Sequence, residues 1–163
     1  MLVVSNTSPI SNLAIIGRLN LLRLQFGEIR IPMAVKQELA RLSHYDALKA
    51  IQQAMAEGWI KQAMLRDANL ARTLRARLDP GEAEAIALAM ELGADLILLD
   101  ERDARAAANY AGLRVTGVPG VLLGAKRDGL IPAVKPEVEA LRPRARFFVS
   151  RHLEAQIIQI AGE

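Results

Sequence analysis

Cysteine is absent from this chain of 163 residues, which excludes disulfides, thiolate-held metal and a cysteine nucleophile. Histidine is almost as scarce. His44 and His152 stand far apart and in no metal-ligand spacing, so a zinc site built on imidazole is not expected. Aromatic residues make up only 4 % of the chain, which argues against a platform for stacking single-stranded bases. No apolar run approaches the ~18 residues of a membrane span. The opening Met1–Pro9 lacks the basic start and long apolar stretch of a secretory signal. The expectation is a cytoplasmic protein with no membrane partner.

What is present is the composition of a folded domain, 52 % hydrophobic and 24 % charged. A chain of this size buries roughly 70 % of its unfolded surface and folds without staples. The net charge of +3 is mildly basic, compatible with a phosphate-bearing partner without requiring one.

Short β-like runs alternate with helical stretches, the pattern of βαβ units and a mainly parallel sheet. Leu2–Val4 is the first apolar β-branched run. Ser8-Pro9 follows as a helix start, with Ser as the cap and Pro at the first helical position. A second helical stretch covers Arg18–Phe26, and Glu28–Ile31 reads as strand two. Pro32 opens a helix to about Leu42, and Asp46 caps another over Ala47–Glu57. Trp59–Gln62 reads as extended, Arg66–Leu78 as a basic helix. Asp79-Pro80-Gly81-Glu82 opens the clearest helix, ending at Gly93. Leu96–Leu99 is a wholly apolar strand of the kind buried on both faces. A helix over Glu101–Ala111, a strand over Leu113–Thr116 and a helix over Pro119–Arg127 follow. A β-like run at Arg146–Val149 then precedes a terminal helix, His152–Ile160. The expected architecture is one three-layer α/β/α domain over residues 1–163, with 140–163 a strand–helix extension.

In open parallel sheets, sites form at the carboxyl ends of strands. Asn6 and Ser8 follow strand one. Asp100 and Glu101 follow the strand Leu96–Leu99, with Asp103 one turn later. Glu82 starts the helix before that strand, and Glu38 lies in the helix after strand two. Carboxylates without His or Cys are the ligand chemistry of Mg²⁺ or Mn²⁺, which activate water and neutralise charge on a phosphodiester. Each residue also has an ordinary structural role open to it. Glu82 fits a capping box with Asp79. Glu38 fits an exposed helix position. Asn6 and Ser8 fit turn and cap positions, and Asp100 fits the cap of the next helix. Asp103 fits a pairing with Arg105 or a solvent-facing position.

These stretches together resemble the PIN-domain family. Val3-Val4-Ser5-Asn6-Thr7-Ser8-Pro9 is similar to the family's opening motif, which has Asp where this chain has Asn6. Ile31-Pro32 to Glu38 resembles the second motif. Gly81–Ala89, with Glu82 opening an Ala-rich helix, resembles the third, and Leu98–Arg105 with Asp100 the fourth. Val115-Thr116-Gly117, Gly120–Leu123 and Ala161-Gly162-Glu163 look like a prokaryotic PIN-like subfamily. The resemblance implies a metal-dependent ribonuclease, often the toxin of a toxin–antitoxin pair. Asn6, Glu38, Glu82 and Asp100 would occupy the family's acidic quartet, with Ser8 and Asp103 in support. Mg²⁺ or Mn²⁺ would sit among Glu38, Glu82 and Asp100. RNA, a small antitoxin protein and a second copy of the chain are the implied partners. Asn6 departs from the pattern: its carbonyl remains but the charge is lost. The resemblance thus implies an attenuated enzyme, or alternatively a catalytically silent module that binds RNA or an antitoxin-like protein. Glu101 is a substitute ligand only if it points with Asp100, which neighbours on a helix do not.

An RNA surface is expected at Lys61–Leu78, with Arg72, Arg75 and Arg77, and at the C-terminal Arg142, Arg144, Arg146 and Arg151. A solvated helix face is the alternative for both. A phosphotransfer domain built on a receiver-like Asp100 is weaker still. No Lys ends a late strand, and no second acid stands beside strand one.

Overall fold

The computed structural model describes residues 1–147 and 149–163. Its elements run β1 (Val3–Ser5), α1 (Thr7–Ile15), α2 (Asn20–Phe26), β2 (Ile29–Ile31), α3 (Met33–Ala40), α4 (Tyr45–Ala56) and β3 (Ile60–Gln62). They continue α5 (Asn69–Leu74), α6 (Pro80–Leu92), β4 (Leu96–Leu98), α7 (Arg102–Tyr110), β5 (Val115–Thr116), α8 (Val118–Arg127), α9 (Lys135–Ala145) and α10 (Arg151–Ile160). All the strands are parallel, in the order β3-β2-β1-β4-β5.

Strand residues alternate between two apolar layers, as a pleated strand requires. Val3, Ile29, Ile31, Leu96 and Leu98 pack with α1, α4, α8 and α9 on one face. Val4, Ile97 and Leu99 pack with the alanines of α6 and α7 on the other. The fold is therefore the expected three-layer α/β/α sandwich. Chain order reverses between β1 and β4, so the switch point of the sheet lies there. Ser5 is in register with Leu98, and the Asn6 N–H donates to the Leu98 carbonyl at 3.0 Å. The residues after these two strands are neighbours for that reason.

Local chemistry sets several boundaries. The α6 capping box is complete: Asp79 accepts from the Glu82 N–H at 2.8 Å, and Glu82 accepts from the Asp79 N–H at 3.1 Å. Gly93 ends that helix with a left-handed φ of 62°. Other expectations shift. Asn6, rather than Ser8, occupies the cap position of α1. His44, rather than Asp46, caps α4 by accepting the Ala47 N–H at Nδ1, 3.1 Å away. The basic helix shrinks from Arg66–Leu78 to Asn69–Leu74.

Two differences concern the C-terminal part. Helix α9 was not expected, and it holds Pro136 in its first turn and Pro143 inside. Of the expected strand Arg146–Val149, Phe148 lies outside the described residues. Arg146, Phe147 and Val149 are in no strand. Arg146 instead ends α9 in the left-handed region, φ 51° and ψ 33°, which turns the chain away from an extended path. Helix α9 is tied down by Glu137, buried and paired with Arg18 at 2.6 Å, and by Arg144, which donates to the Ile15 carbonyl at 2.9 Å. Among the described residues no helix is long and apolar enough to cross a membrane.

Candidate functional site

Strand β4 is buried on both faces, and Asp100 is carried just past its end. The residue as a whole is half-buried, but its carboxylate is shielded. Oδ1 accepts the Val118 N–H at the start of α8, at 2.8 Å. Oδ2 is buried and has no hydrogen-bond partner. Burial lifts the Asp100 carboxyl from its ordinary 3.8 to about 6, against the Val118 hydrogen bond and the nearby Arg105 charge. Asp100 is thus not the cap of α7. The cap position of α7 belongs to Glu101.

Asn6 sits across the switch point from Asp100. Its side chain is buried, and Oδ1 is likewise without a partner. An unsatisfied buried polar atom costs about 1–3 kcal/mol, so a pair of them at one strand-end rim is an unusual expense of stability.

The other acidic residues are engaged. Glu38 on α3 accepts from the Thr7 hydroxyl and from the Gly81 N–H, the latter at 3.2 Å. Glu82 is buried and turned back onto its own capping box. Burial raises the Glu82 pKa first of all, with smaller contributions from the charges of Asp79, Glu101 and Glu38. Glu101 therefore acts on both Glu82 and Asp100, whose pKa it also raises. Its backbone is extended (φ −68°, ψ 135°) rather than helical. The helical-neighbour argument against it does not apply.

Two glycines make room for these carboxylates. A Cβ on Gly81 would stand 2.5 Å from Glu38 Oε2, and one on Gly117 would stand 2.5 Å from Asp100 Oδ1. Neither residue was singled out from the sequence for this role. Thr7 was missed as well, although its hydroxyl ties α1 to α3 through Glu38.

Ser8 and Asp100 line one cavity of about 790 Å³, together with Glu101, Arg102, Arg105 and Arg146. Asp103 does not. It lines a separate cavity of about 620 Å³ with Leu74 and Arg77, between α5 and α7. Helical spacing explains the split, because Arg102 and Arg105 share one face of α7 while Asp103, Ala106 and Ala107 share another. The arginines expected to hold RNA are also elsewhere. Arg72 donates to Asn69 at 3.3 Å, Arg75 pairs with Glu84 at 3.2 Å, and Arg77 faces the Asp103 cavity.

The comparison with known families decides what this arrangement belongs to. A family model described as a PIN domain, DUF3368, matches residues 2–163. The chain belongs to the PIN-domain family. PIN domains are generally nucleases and typically use divalent metal ions. The fold of this PIN domain is similar to that of a PilT N-terminus domain protein from the hyperthermophilic archaeon Sulfolobus solfataricus. The TM-score is 0.56 at 20 % identity, over 77 % of this chain and 93 % of that one. At that identity the likeness is one of fold. No curated protein matches the chain.

The PIN domain's donor set suits a hard cation in part. Asn6 Oδ1 and Asp100 Oδ2 are oxygens with no other partner, and no sulfur or imidazole competes for the ion. Among the described residues, no three His, Asp or Glu side chains gather into a metal-holding group. The structure thus does not bring Glu38, Glu82 and Asp100 together as one cage. Glu38 and Glu82 are held by their hydrogen bonds to Thr7, Gly81 and Asp79. The residues fit a Mg²⁺-type site, which takes one or two protein oxygens and completes its shell with water and phosphate.

Proposed function

We propose that this PIN domain is a divalent-cation-dependent endoribonuclease, attenuated by the amide at position 6. The observation that carries the reading is the pair of buried, unpartnered oxygens, Asn6 Oδ1 and Asp100 Oδ2, at the switch point of the sheet. Asp100 and Asn6 would hold the cation, and Glu38, Glu82 and Glu101 would supply the negative field around it. Bound there, Mg²⁺ or Mn²⁺ would supply activated water and counter-charge for hydrolysis of an RNA phosphodiester. The protein's own groups do the rest. The Val118 N–H fixes Asp100 Oδ1 and so orients Oδ2. Arg105, which donates to the Leu99 carbonyl at 2.9 Å, stiffens the strand end that carries Asp100. Glu101 is exposed at the same cavity.

Asn6 lowers the charge of the site by one relative to an aspartate, which weakens its hold on a cation. The test is cleavage of RNA in Mn²⁺ by the wild type, Asn6→Asp and Asp100→Ala. Asn6→Asp should cut faster than the wild type, because it restores a full negative charge beside the cation. Asp100→Ala should not cut. A folded Asn6→Asp protein that cuts no RNA would end the nuclease reading.

One feature favours a second reading. The engagement of Glu38 and Glu82, together with Asn6, suits a silent module that binds RNA or an antitoxin-like protein. RNA binding without cleavage by both the wild type and Asn6→Asp would select it. The proposal extends to a toxin role with a small antitoxin partner and to a homodimeric state. Growth arrest on expressing Asn6→Asp, and a sedimentation mass twice that of the chain, are the corresponding expected results.

A further inference from the structure

The junction between α9 and α10 borders the cavity that Asp100 lines. Ala145, Arg146, Phe147 and Leu153 line it from that side. We propose that Arg146, Phe147 and Leu153 form the substrate-binding wall of the site, with Arg146 and Arg102 gripping the phosphates of a single-stranded RNA. The inference rests on the nuclease reading above and deepens it.

A side chain in the left-handed region is strained unless it is glycine, and such residues cluster at functional sites. Among the described residues, Arg146 is the only non-glycine with a positive φ, and it faces the candidate site. Glycine there would relieve the backbone, but it would remove a cation from the cavity wall.

Most arginines nearby already have partners. Arg142 pairs with Glu154 at 2.6 Å and donates to the Val149 carbonyl at 2.7 Å. Arg144 donates to the Ile15 carbonyl, and Arg105 to that of Leu99. Arg102 and Arg146 are exposed and, among the described residues, enter no salt bridge or side-chain hydrogen bond. They stand beside Asp100 and Glu101, whose charges repel a polyanion. An RNA strand approaches such a floor only where cations at the rim offset that repulsion. The cavity, about 790 Å³, is wide enough for a nucleotide, and Phe147 and Leu153 give it an apolar side against which a base can rest.

The experiment is fluorescence anisotropy of a labelled single-stranded RNA in EDTA, where nothing is cut, repeated over a range of salt. Arg146→Gly keeps the backbone conformation and removes the cation. Arg102→Ala removes the other. Each should raise Kd about 5- to 20-fold and lower the salt slope by about one phosphate contact. Lys49→Ala, on the exposed face of α4, should bind as the wild type does. Arg146→Gly should melt at or above the wild-type temperature, which separates lost contact from lost fold. Wild-type affinity in both Arg146→Gly and Arg102→Ala would overturn the inference. So would a loss seen in Arg72→Ala alone, which would move the RNA to α5. Either result leaves the nuclease reading standing if Asn6→Asp still cuts. No RNA binding by the wild type, with no cleavage by Asn6→Asp, would end both.

Discussion

Asp100 is the most perturbed side chain of the site. Burial raises its pKa from 3.8 to about 6 in the folded protein. The folded state therefore holds this proton more tightly than the unfolded chain does. The stability it contributes is fully present below 3.8 and is lost as pH rises through about 6. The gap corresponds to about 3 kcal/mol in all. Asp100→Asn keeps an acceptor for the Val118 N–H and abolishes the titration. In EDTA, the stability advantage of Asp100→Asn over wild type should grow by about 1.5 kcal/mol between about pH 5 and pH 7.5. Urea denaturation of both proteins at the two pH values measures this. An advantage that does not change with pH would show that the carboxylate is solvated, contrary to its burial here. Asn6 belongs to the same scale. Its oxygen is as poorly satisfied as that of Asp100, yet it carries no charge that pH can remove.

At the scale of elements, the site is made by the starts of helices abutting the ends of strands. Gly117 precedes α8, and a Cβ there would meet Asp100 Oδ1 at 2.5 Å and the backbone carbonyl of Leu99 at 3.0 Å. A backbone atom cannot swing aside as a flexible side chain can. Gly117→Ala should therefore displace Asp100, costing about 1–3 kcal/mol of stability. It should also weaken Mn²⁺ binding at least about tenfold, as loss of a positioned ligand neighbour does. Calorimetric titration with Mn²⁺ reads the second effect, and unchanged affinity would show that Asp100 is not a ligand. The elements that were legible in the sequence are those with local signals. Helix α6 has a capping box and a terminal glycine, and β4 is an apolar run between turn residues. Helix α9 was hidden because Pro143 removes a helical hydrogen bond, which reads as a break. Its stability comes instead from distant partners, Arg18 and Ile15, that no local pattern encodes. The same limit applies to the site. Strand ends pointed to Asn6 and Asp100, and the order of motifs pointed to Glu38 and Glu82. Where each carboxylate turns depends on Thr7, Gly81 and Asp79, and the helical turn after Asp100 faces Asp103 toward α5. Glu101 was set aside on a helical geometry that its extended backbone does not adopt.

For the whole molecule, the topology makes one small region differ in charge from the rest. The chain carries a net +3, yet beside the switch point the Glu101 charge raises the pKa of both Asp100 and Glu82, with Asn6 across from Asp100. Folding buries the Asp100 carboxylate and brings the Glu101 charge near Glu82, a cost borne by the native state alone that Arg105 opposes at Asp100. A divalent ion that binds the native site and not the unfolded chain removes that cost by mass action. At about 100 times its Kd it adds about 2.7 kcal/mol. In a domain of this size that raises Tm by about 5–10 °C. The increase should be ordered Asn6→Asp, then wild type, then Asp100→Asn with none, because the first adds a charge to the site and the last removes one. Mg²⁺ and Mn²⁺ should act alike, and Na⁺ at equal ionic strength should not, since general screening acts on the whole surface rather than on one pocket. Differential scanning fluorimetry over a series of Mn²⁺ concentrations reads the order directly. Equal shifts in all three proteins would place the ion somewhere other than the switch point, and the nuclease reading would lose the site on which it depends.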